Sequence, residues 1–346
     1  MKTQKRENAE DADWRLGYRP ALDGLRGVAI LMVLAWHLGI PGLEGAGQAG
    51  VTLFFVLSGF LITAILVEEH GRRGRIDLAR FYLRRAARLF PALLVLLFFA
   101  SFAVLLEHPS SGPIVILAPL FYVANWAQAA HVDMSPVDHT WTLSIEEQFY
   151  LTWPLLLSAL LVIRRRWALY AVLALLVAST ALRYYIAPLD SARALWGTDV
   201  RADALLAGCG VALVLTRWPV RIPPTAVAIA LVAFLLVSIV GSPPVMLAGG
   251  LTIITAASAA FIMFLATTGG SALTWRWLRW VGSLSYGLYL WHPFLFSTFS
   301  TIPHIALVVP AFLAAMASAR WIERPIISWV KGRSRAVALP LPASVQ

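Results

Sequence analysis

The chain alternates long apolar stretches with short polar connections, and ten of the apolar stretches have roughly the length of a membrane-spanning helix. Such a helix needs about 20 mostly apolar residues. The pattern therefore predicts an all-α, polytopic integral membrane protein with about ten transmembrane helices. The predicted spans are residues 24–40, 49–67, 91–107, 141–163, 167–187, 201–216, 225–241, 245–268, 280–299 and 304–322.

Lysine and arginine lie almost entirely on one side of this arrangement. With the N-terminus placed in the cytoplasm, 25 of the 28 basic residues fall in the inner segments. Basic residues collect on the cytoplasmic side of membrane proteins, so we expect both termini in the cytoplasm and the protein in the cell (inner) membrane. Residues 113–127 are also apolar, but a crossing there would place residues 164–166, all arginine, outside. We therefore interpret residues 113–127 as interfacial or re-entrant.

Composition agrees with a membrane protein. Of the 346 residues, 59% are hydrophobic and 13% charged, whereas soluble domains carry about 25% charged residues. This balance excludes a soluble enzyme, makes membrane lipids the natural partners and argues against nucleic acid. We expect cytoplasmic tails at residues 1–19 and 331–346 around a transmembrane domain at residues 20–330. The first apolar run begins only at Leu25, so no signal peptide is predicted.

Charged side chains inside the predicted spans are candidates for function, because each costs about 2.5–3.5 kcal/mol to insert. In the first span Arg26 and His37 are eleven positions apart and share one helix face, with about 16 Å between them along the axis. Arg26, at the cytoplasmic mouth, is either a snorkelling anchor or part of a site. His37, in the outer half, is either a general base or a hydrogen-bonded packing residue.

Arginines also cluster just before the third span. Arg85 and Arg88 are three residues apart and so place two guanidinium groups on one helix face. Guanidinium groups match the geometry of phosphate oxygens. The cluster therefore either contacts lipid headgroups or binds a phosphorylated cytosolic ligand.

The fourth span opens with two adjacent acids, Glu146 and Glu147. The predicted topology puts them at the outer end, at a depth similar to that of His37. A carboxylate beside an imidazole fixes its tautomer and raises its basicity, so Glu146 is expected to orient His37. The alternative is that both acids form structural ion pairs with Arg183 or Arg201.

A polar stripe in the ninth span, Tyr286, Tyr289 and His292, either lines a polar cavity or forms an aromatic interface belt. No histidine or cysteine cluster has metal-ligand spacing, so no metal site is predicted. The residues expected to line a cavity are Ser58, Trp141, Glu147, Tyr150, Arg201, Asp203, Tyr286, Tyr289 and His292.

Several of these residues belong to sequence blocks that resemble the membrane-bound acyltransferase 3 family. The blocks occur in order over nearly the whole chain. They are residues 18–27 continuing to His37, residues 54–62, residues 85–88 before Pro91, residues 141–150, residues 286–292 and residues 323–325. Two positions depart from the family pattern, since Thr52 stands where many members have Asp and Thr142 where Ser is usual.

The resemblance implies transfer of an acyl group, often acetyl, from cytosolic acyl-CoA to a hydroxyl, commonly on a sugar. It implies that His37 is the catalytic histidine, that Arg26 is its paired arginine, and that Arg85 and Arg88 bind the donor. Acyl-CoA would be a co-substrate, and no permanently bound cofactor is expected. Because the chain ends soon after the last predicted span, we expect a stand-alone member without the esterase-like domain that is fused to some members.

Together these features predict a membrane O-acyltransferase in which His37, oriented by Glu146, takes the proton from an acceptor hydroxyl. The acceptor is a glycan or a small hydroxylated molecule. An acyl-enzyme on Ser58 or Ser144 stays open. The alternative is a polytopic transporter that uses His37, Glu146 and Arg201 as a proton or substrate pathway.

Overall fold

The computed structural model of the chain describes residues 16–107, 112–268 and 271–336. Every regular element in these ranges is a helix, which confirms the predicted all-α class. Most of the predicted tails, residues 1–15 and 337–346, lie outside the described residues. The last helix continues to Ala336, so residues 331–336, expected to begin the C-terminal tail, are helical.

Fifteen helices of the described residues are numbered in chain order, and five short connecting elements are left unnumbered. They are α1 (Pro20–His37), α2 (Ala46–Arg73), α3 (Leu78–Glu107), α4 (Ile114–Leu120), α5 (Ala124–Ala129), α6 (Trp141–Ile163), α7 (Arg165–Ile186), α8 (Ser191–Trp196), α9 (Thr198–Leu215), α10 (Pro224–Val240), α11 (Leu251–Thr268), α12 (Arg276–Ser283), α13 (Ser285–Thr298), α14 (His304–Ala317) and α15 (Arg324–Ala336). Helical turns at Pro243–Val245 and Met246–Gly250 lead into α11, a 3-10 turn at Asp138–Thr140 leads into α6, and a π-helical turn at Ser318–Glu323 joins α14 to α15.

Five helical segments of the described chain are long and apolar enough to cross a membrane. They are Ala46–Arg73, Leu78–Leu106, Arg166–Ile186, Pro243–Thr268 and His304–Val330, and Pro224–Val240 is a shorter apolar helix. The other predicted spans fall on helices that are shorter or that carry charged residues, such as Glu146 and Glu147 in α6. Several apolar helices of spanning length are what a multi-pass membrane protein requires.

Helix α3 begins well before its apolar part. The arginine-rich stretch before Pro91 is helical from Leu78 onward, so only residues 74–77 separate α2 from α3. Gly74 ends α2 with φ +69°, a left-handed conformation that glycine adopts at little cost. The ninth predicted span is likewise two helices, because the chain bends at Leu284 between α12 and α13.

Residues 113–127 form two short helices rather than one spanning helix. Helices α4 and α5 have 7 and 6 residues, which at about 1.5 Å per residue gives each a length of about 10 Å. Val115, Ala118 and Ala124 are fully buried, and the pair packs against α3 and α6. Each helix is therefore too short to cross, and the pair buries one face against protein while Leu117, Phe121 and other apolar side chains stay exposed. This agrees with a re-entrant or interfacial segment rather than a span.

Small residues bring the central helices close together. A Cβ on Gly59 of α2 would lie 1.9 Å from the carbonyl oxygen of Leu205, and a Cβ on Gly208 of α9 would lie 1.9 Å from that of Val56. Close backbone approach of this kind is how small residues pack helices in membranes. Helices α1 and α6 also pack against α2, and the site described next lies between these three helices, α3 and α13.

Candidate active site

A cavity of about 520 Å³ lies between α1, α2, α3, α6 and α13. Arginines dominate its charge, because five arginines line it against two glutamates. We call it the arginine cavity. Its charged lining residues are Arg26, Arg80, Arg84, Arg85, Arg88, Glu69 and Glu146.

The two ends of the arginine cavity differ in chemistry. One end, beside the link between α2 and α3, carries Glu69, Arg80 and Arg84. The opposite end is formed by Val51, Phe55, Leu143, Thr142 and Tyr289. The cavity therefore passes from a basic mouth to a mainly apolar end inside the helix bundle.

Arg85 is held firmly in the wall of the cavity. Its Nε and Nη2 atoms lie 2.8 and 2.7 Å from Oε1 of Glu147, and Nη2 lies 3.7 Å from Oε2 of Glu146. The guanidinium carbon lies 3.5 Å from the centre of the Tyr150 ring. Two carboxylates and an aromatic face thus fix the position of this cation.

Arg26 and Glu146 face the same cavity from other helices. Arg26 donates to Oγ of Ser285 from Nε at 3.3 Å and Nη2 at 3.2 Å. Ser58 donates to Oε1 of Glu146 at 2.7 Å. The predicted donor-binding residues Arg26, Arg85 and Arg88 all line the arginine cavity.

Hydroxyl groups close the inner end of the cavity. Thr142 donates from Oγ1 to the Tyr289 hydroxyl at 2.7 Å, and that hydroxyl donates to the carbonyl oxygen of His139 at 3.0 Å. We call this pair the Thr142–Tyr289 bar. It separates the arginine cavity from four histidines that lie beyond it. We call them the histidine group: His37, His139, His292 and His304.

His37 is in this histidine group and does not line the arginine cavity. Its ring centroid lies 4.8 Å from that of His292, and the His292 ring lies 6.4 Å from the Tyr289 ring. His304 approaches from α14, with Nδ1 3.0 Å from the carbonyl oxygen of His37. His37 is half-buried, whereas His292 is fully buried.

The expected contact between Glu146 and His37 is not formed. Glu146 contacts Ser58 and Arg85, and the hydrogen-bonding neighbours of the His37 ring are Val33 and His292. The physical reason is depth. His139, which lies near His37, is in the turn before α6, and Glu146 follows seven residues later, about two helical turns further along the chain. The alternative expectation, that the acids pair with Arg183 or Arg201, is also wrong, since their cation is Arg85.

The residues expected to line a cavity divide into two sets. Ser58, Tyr150, Tyr286 and Tyr289 do line the arginine cavity. The other five do not; they are Trp141, Glu147, Arg201, Asp203 and His292.

Arg201 and Asp203 belong to a separate buried network. Asp203 accepts a charge-assisted hydrogen bond from Arg183 at 2.5 Å, with both side chains almost completely buried. Arg201 donates to Thr52 at 3.2 Å and lies 5.8 Å from the Trp141 ring centre. These contacts join α2, α6, α7 and α9, and none of the three charged residues lines the arginine cavity.

Sequence reasoning missed two cavity arginines and a serine: Arg80, Arg84 and Ser285. A signal was present for the arginines, because residues 80, 84 and 88 follow at a spacing of four and share one face of a helix. No comparable signal identifies Ser285, whose partner Arg26 is 259 residues away in the sequence.

Comparison with known proteins finds relatives that match most of this chain. A family model described as an acyltransferase domain matches residues 19–323. YrhL of Bacillus subtilis (strain 168) is 34% identical over 89% of this chain and 55% of its own length. The peptidoglycan O-acetyltransferase OatA of Listeria monocytogenes is 33% identical over 91% of this chain and 57% of its own. The O-acetyltransferase OatA of Staphylococcus aureus (strain NCTC 8325 / PS 47) is 33% identical over 89% of this chain and 57% of its own length.

The chain thus spans a little over half the length of these relatives. No solved structure matches it significantly. The family match extends over most of the chain and includes every residue of the arginine cavity and the histidine group. The chain therefore belongs to the membrane-bound acyltransferase 3 family.

Proposed function

We propose that this chain is a membrane O-acyltransferase that moves an acyl group, most simply acetyl, from acyl-CoA to a hydroxyl of a glycan. The proposal rests on one observation, the arginine cavity whose inner end stops one tyrosine away from the histidine group. A basic, elongated cavity suits a donor that carries phosphates at one end and a thioester at the other.

The basic mouth is proposed to hold the phosphates of CoA. Arg80, Arg84 and Arg88 present guanidinium groups from one face of α3, and guanidinium forks bind phosphate oxygens well. Arg26 and Arg85 lie deeper and are already tied to Ser285 and Glu147. We therefore assign the first three to the phosphates and the latter two to the path of the pantetheine arm.

The Thr142–Tyr289 bar is proposed to open when the donor enters. The thioester at the inner end would meet the Tyr289 ring first, and the His37 ring lies beyond it and His292. A turn of the Tyr289 side chain about its own bonds would join the two compartments without moving a helix. While the bar is closed, it would keep water on the histidine side away from the thioester.

His37 is proposed as the general base for the acceptor hydroxyl. The hydroxyl oxygen attacks the thioester carbon, its proton passes to His37, the C–S bond breaks as the C–O bond forms, and the proton then reaches the CoA thiolate. An ester and free CoA result. Because one relative is a peptidoglycan O-acetyltransferase by name, a sugar hydroxyl of the cell wall is the proposed acceptor.

This scheme assumes ten spans, both termini in the cytoplasm and insertion in the cell (inner) membrane. It is supported by the positive-inside balance of the sequence. Single cysteines test it after Cys209→Ala, because Cys209 is the only native cysteine. Thr301→Cys should react with an impermeant maleimide in intact cells, and Arg221→Cys only after permeabilisation; both positions are exposed.

The activity is tested on detergent-purified protein with acetyl-CoA. Calorimetry measures donor binding and thiol release measures turnover for wild type, His37→Ala, and the Arg84→Ala/Arg88→Ala pair. The arginine pair should lose binding, and His37→Ala should bind normally and keep only residual turnover. Arg217→Ala/Arg221→Ala, two exposed arginines outside the cavity, removes the same charge and should behave as wild type. Folded wild type that neither binds acyl-CoA nor releases thiol would contradict the proposal.

The transporter alternative is not favoured by the geometry. It needs His37, Glu146 and Arg201 on one pathway, but Glu146 lines the arginine cavity while His37 and Arg201 do not. Arg201 packs between α2 and α6 side chains instead.

A further inference from the structure

The buried ring of His292 touches the ring of His37 in a way that the acyl-transfer scheme does not yet use. Nε2 of His292 lies 3.3 Å from Nδ1 of His37. The His292 side chain is 0% exposed, and it comes from α13 whereas His37 ends α1. Two imidazoles from separate helices thus lie with one nitrogen of each ring in contact.

The hydrogen bonds of His292 define where its proton lies. Nδ1 of His292 is in hydrogen-bond contact with the carbonyl oxygen of Leu288, one turn earlier in α13. A carbonyl oxygen only accepts, so Nδ1 carries the hydrogen. In the neutral ring Nε2 is then a bare acceptor, and this is the nitrogen that faces His37.

The same reasoning defines the tautomer of His37. Its Nδ1 lies 2.9 Å from the carbonyl oxygen of Val33 and 3.3 Å from Nε2 of His292. Both neighbours are acceptors, so Nδ1 of His37 carries the hydrogen and shares it between them. Nε2 of His37 is consequently free of hydrogen, as a general base requires.

In many active sites a carboxylate accepts the hydrogen bond from the catalytic histidine and so fixes its tautomer. Neither histidine ring has a carboxylate among its hydrogen-bond partners in the described parts of the chain. The groups around the two rings are His139, His304, Tyr289 and Trp36. The role first expected of Glu146 is therefore open, and His292 is the side chain in position to fill it.

We propose that His292 is a positioning residue, which accepts a hydrogen bond from Nδ1 of His37 and so keeps Nε2 of His37 unprotonated and aimed at the acceptor hydroxyl. This inference rests on the proposed function of His37. His292 also supports the protonated form of His37 during transfer, since the imidazolium keeps a neutral acceptor at Nδ1. It does not touch the acceptor or the donor.

Two substitutions at position 292 test the two ring nitrogens of the histidine separately. His292→Gln places an amide oxygen near the position of Nε2 and can still accept from His37. His292→Asn places its polar group near the position of Nδ1, so it keeps the contact with Leu288 and loses the acceptor. Both variants are polar amides in the same buried turn of α13.

The experiment measures kcat and KM for acetyl-CoA by thiol release in detergent, with calorimetric donor binding and thermal unfolding for every variant. His292→Asn should lower kcat about 30-fold, less than the roughly 10²–10⁴-fold that a general base itself contributes, and leave KM and donor binding unchanged. His292→Gln should keep at least a third of the wild-type kcat. Equal kcat for the two amides, or loss of donor binding with either, would overturn the proposal.

A double-mutant cycle distinguishes the positioning role of His292 from the proposed general-base function of His37. In the His37→Ala background, adding His292→Asn should cause no further loss of residual thiol release, whereas a structural role would lower it again. If His37→Ala is itself as active as wild type, the proposed function of His37 fails. If His37→Ala is inactive while His292→Asn keeps full kcat, the base stands and only the positioning role of His292 is wrong.

Discussion

Arg85 holds Oε1 of Glu147 with two of its nitrogens, Nε at 2.8 Å and Nη2 at 2.7 Å. Arg85 lines the arginine cavity, whereas Glu147 contacts Arg85 without lining the cavity itself. Each side chain is about one-fifth exposed or less. An arginine held this way has little charge left for a phosphate. Glu147 is therefore expected to weaken donor binding while it keeps Arg85 in place.

Replacement of Glu147 by Gln should tighten CoA binding. The amide still accepts a hydrogen bond from Arg85, but the cavity wall gains one net positive charge. At an effective dielectric constant of about 20, that charge is worth on the order of 1–2 kcal/mol to nearby phosphates, or roughly tenfold in Kd. Calorimetry with CoA at low salt measures it, and added salt should reduce the difference.

The matched control is Glu68→Gln. Glu68 also pairs with an arginine, Arg72, but neither member of that pair lines the cavity, whereas Arg85, the partner of Glu147, does. The same change in net charge there should leave Kd nearly unchanged. Weaker CoA binding by Glu147→Gln would mean that the carboxylate serves mainly to orient Arg85.

Much of the fold could be predicted from apolarity alone, because each of the ten apolar stretches contains helical residues. The ends of the helices could not. Apolarity marks the part of a helix that meets lipid, whereas α3 continues through an arginine-rich turn to Leu78, since arginine and leucine both favour helix. The bend at Leu284 depends on packing between α12 and α1 that no local pattern reports.

The polar residues of the site could be found from the sequence because charge in an apolar segment is costly. Their partners could not be found. Arg85 meets Glu147 across 62 residues of sequence and His292 meets His37 across 255, and such pairs depend on helix depth and rotation. A shift of two turns along α6 was enough to assign Glu146 to the wrong partner.

Removing the Tyr289 ring should let the enzyme accept longer acyl chains. Tyr289 and Thr142 form the inner end of the arginine cavity, so Tyr289→Ala extends the space available beyond the thioester. Two more buried methylenes are worth about 1.6 kcal/mol, so the kcat/KM ratio of butyryl-CoA to acetyl-CoA should rise about tenfold. Thiol release with both donors measures this ratio.

Tyr289→Phe is the control for that change. It keeps the ring and loses the hydrogen bonds to Thr142 and His139, so the bar opens more easily while chain-length preference stays near that of wild type. An unchanged preference in Tyr289→Ala would place the acyl group elsewhere in the cavity.

Loss of Asp203 should destabilise the fold without a direct effect on donor binding. Asp203 pairs with Arg183, and both side chains are almost completely buried. Arg183 also donates to Thr252 at 2.8 Å. Removing one partner of a buried pair typically costs about 3–5 kcal/mol. Asp203→Ala should therefore unfold at lower temperature, as followed by the fluorescence of the 14 tryptophans.

The double variant Arg183→Met/Asp203→Leu provides the contrast. It removes both charges together and should recover most of the lost stability, with thiol release close to that of wild type. A double variant that is stable yet inactive would give this ion pair a role in the reaction.

His139 should make the protein less stable in mild acid. Burial, with the nearby His37 as a second cause, lowers the pKa of the His139 imidazole to about 3, against about 6.5 in an unfolded chain. Between these values the unfolded state binds a proton that the native state does not. The free energy of unfolding should then fall by up to about 1.4 kcal/mol for each pH unit below about 6.5. His139→Asn should flatten this slope in denaturant titrations at pH 7.5 and 5.5, whereas His131→Asn, at an exposed position, should leave it unchanged; an equal slope in all three proteins would show that His139 is protonated in the native state.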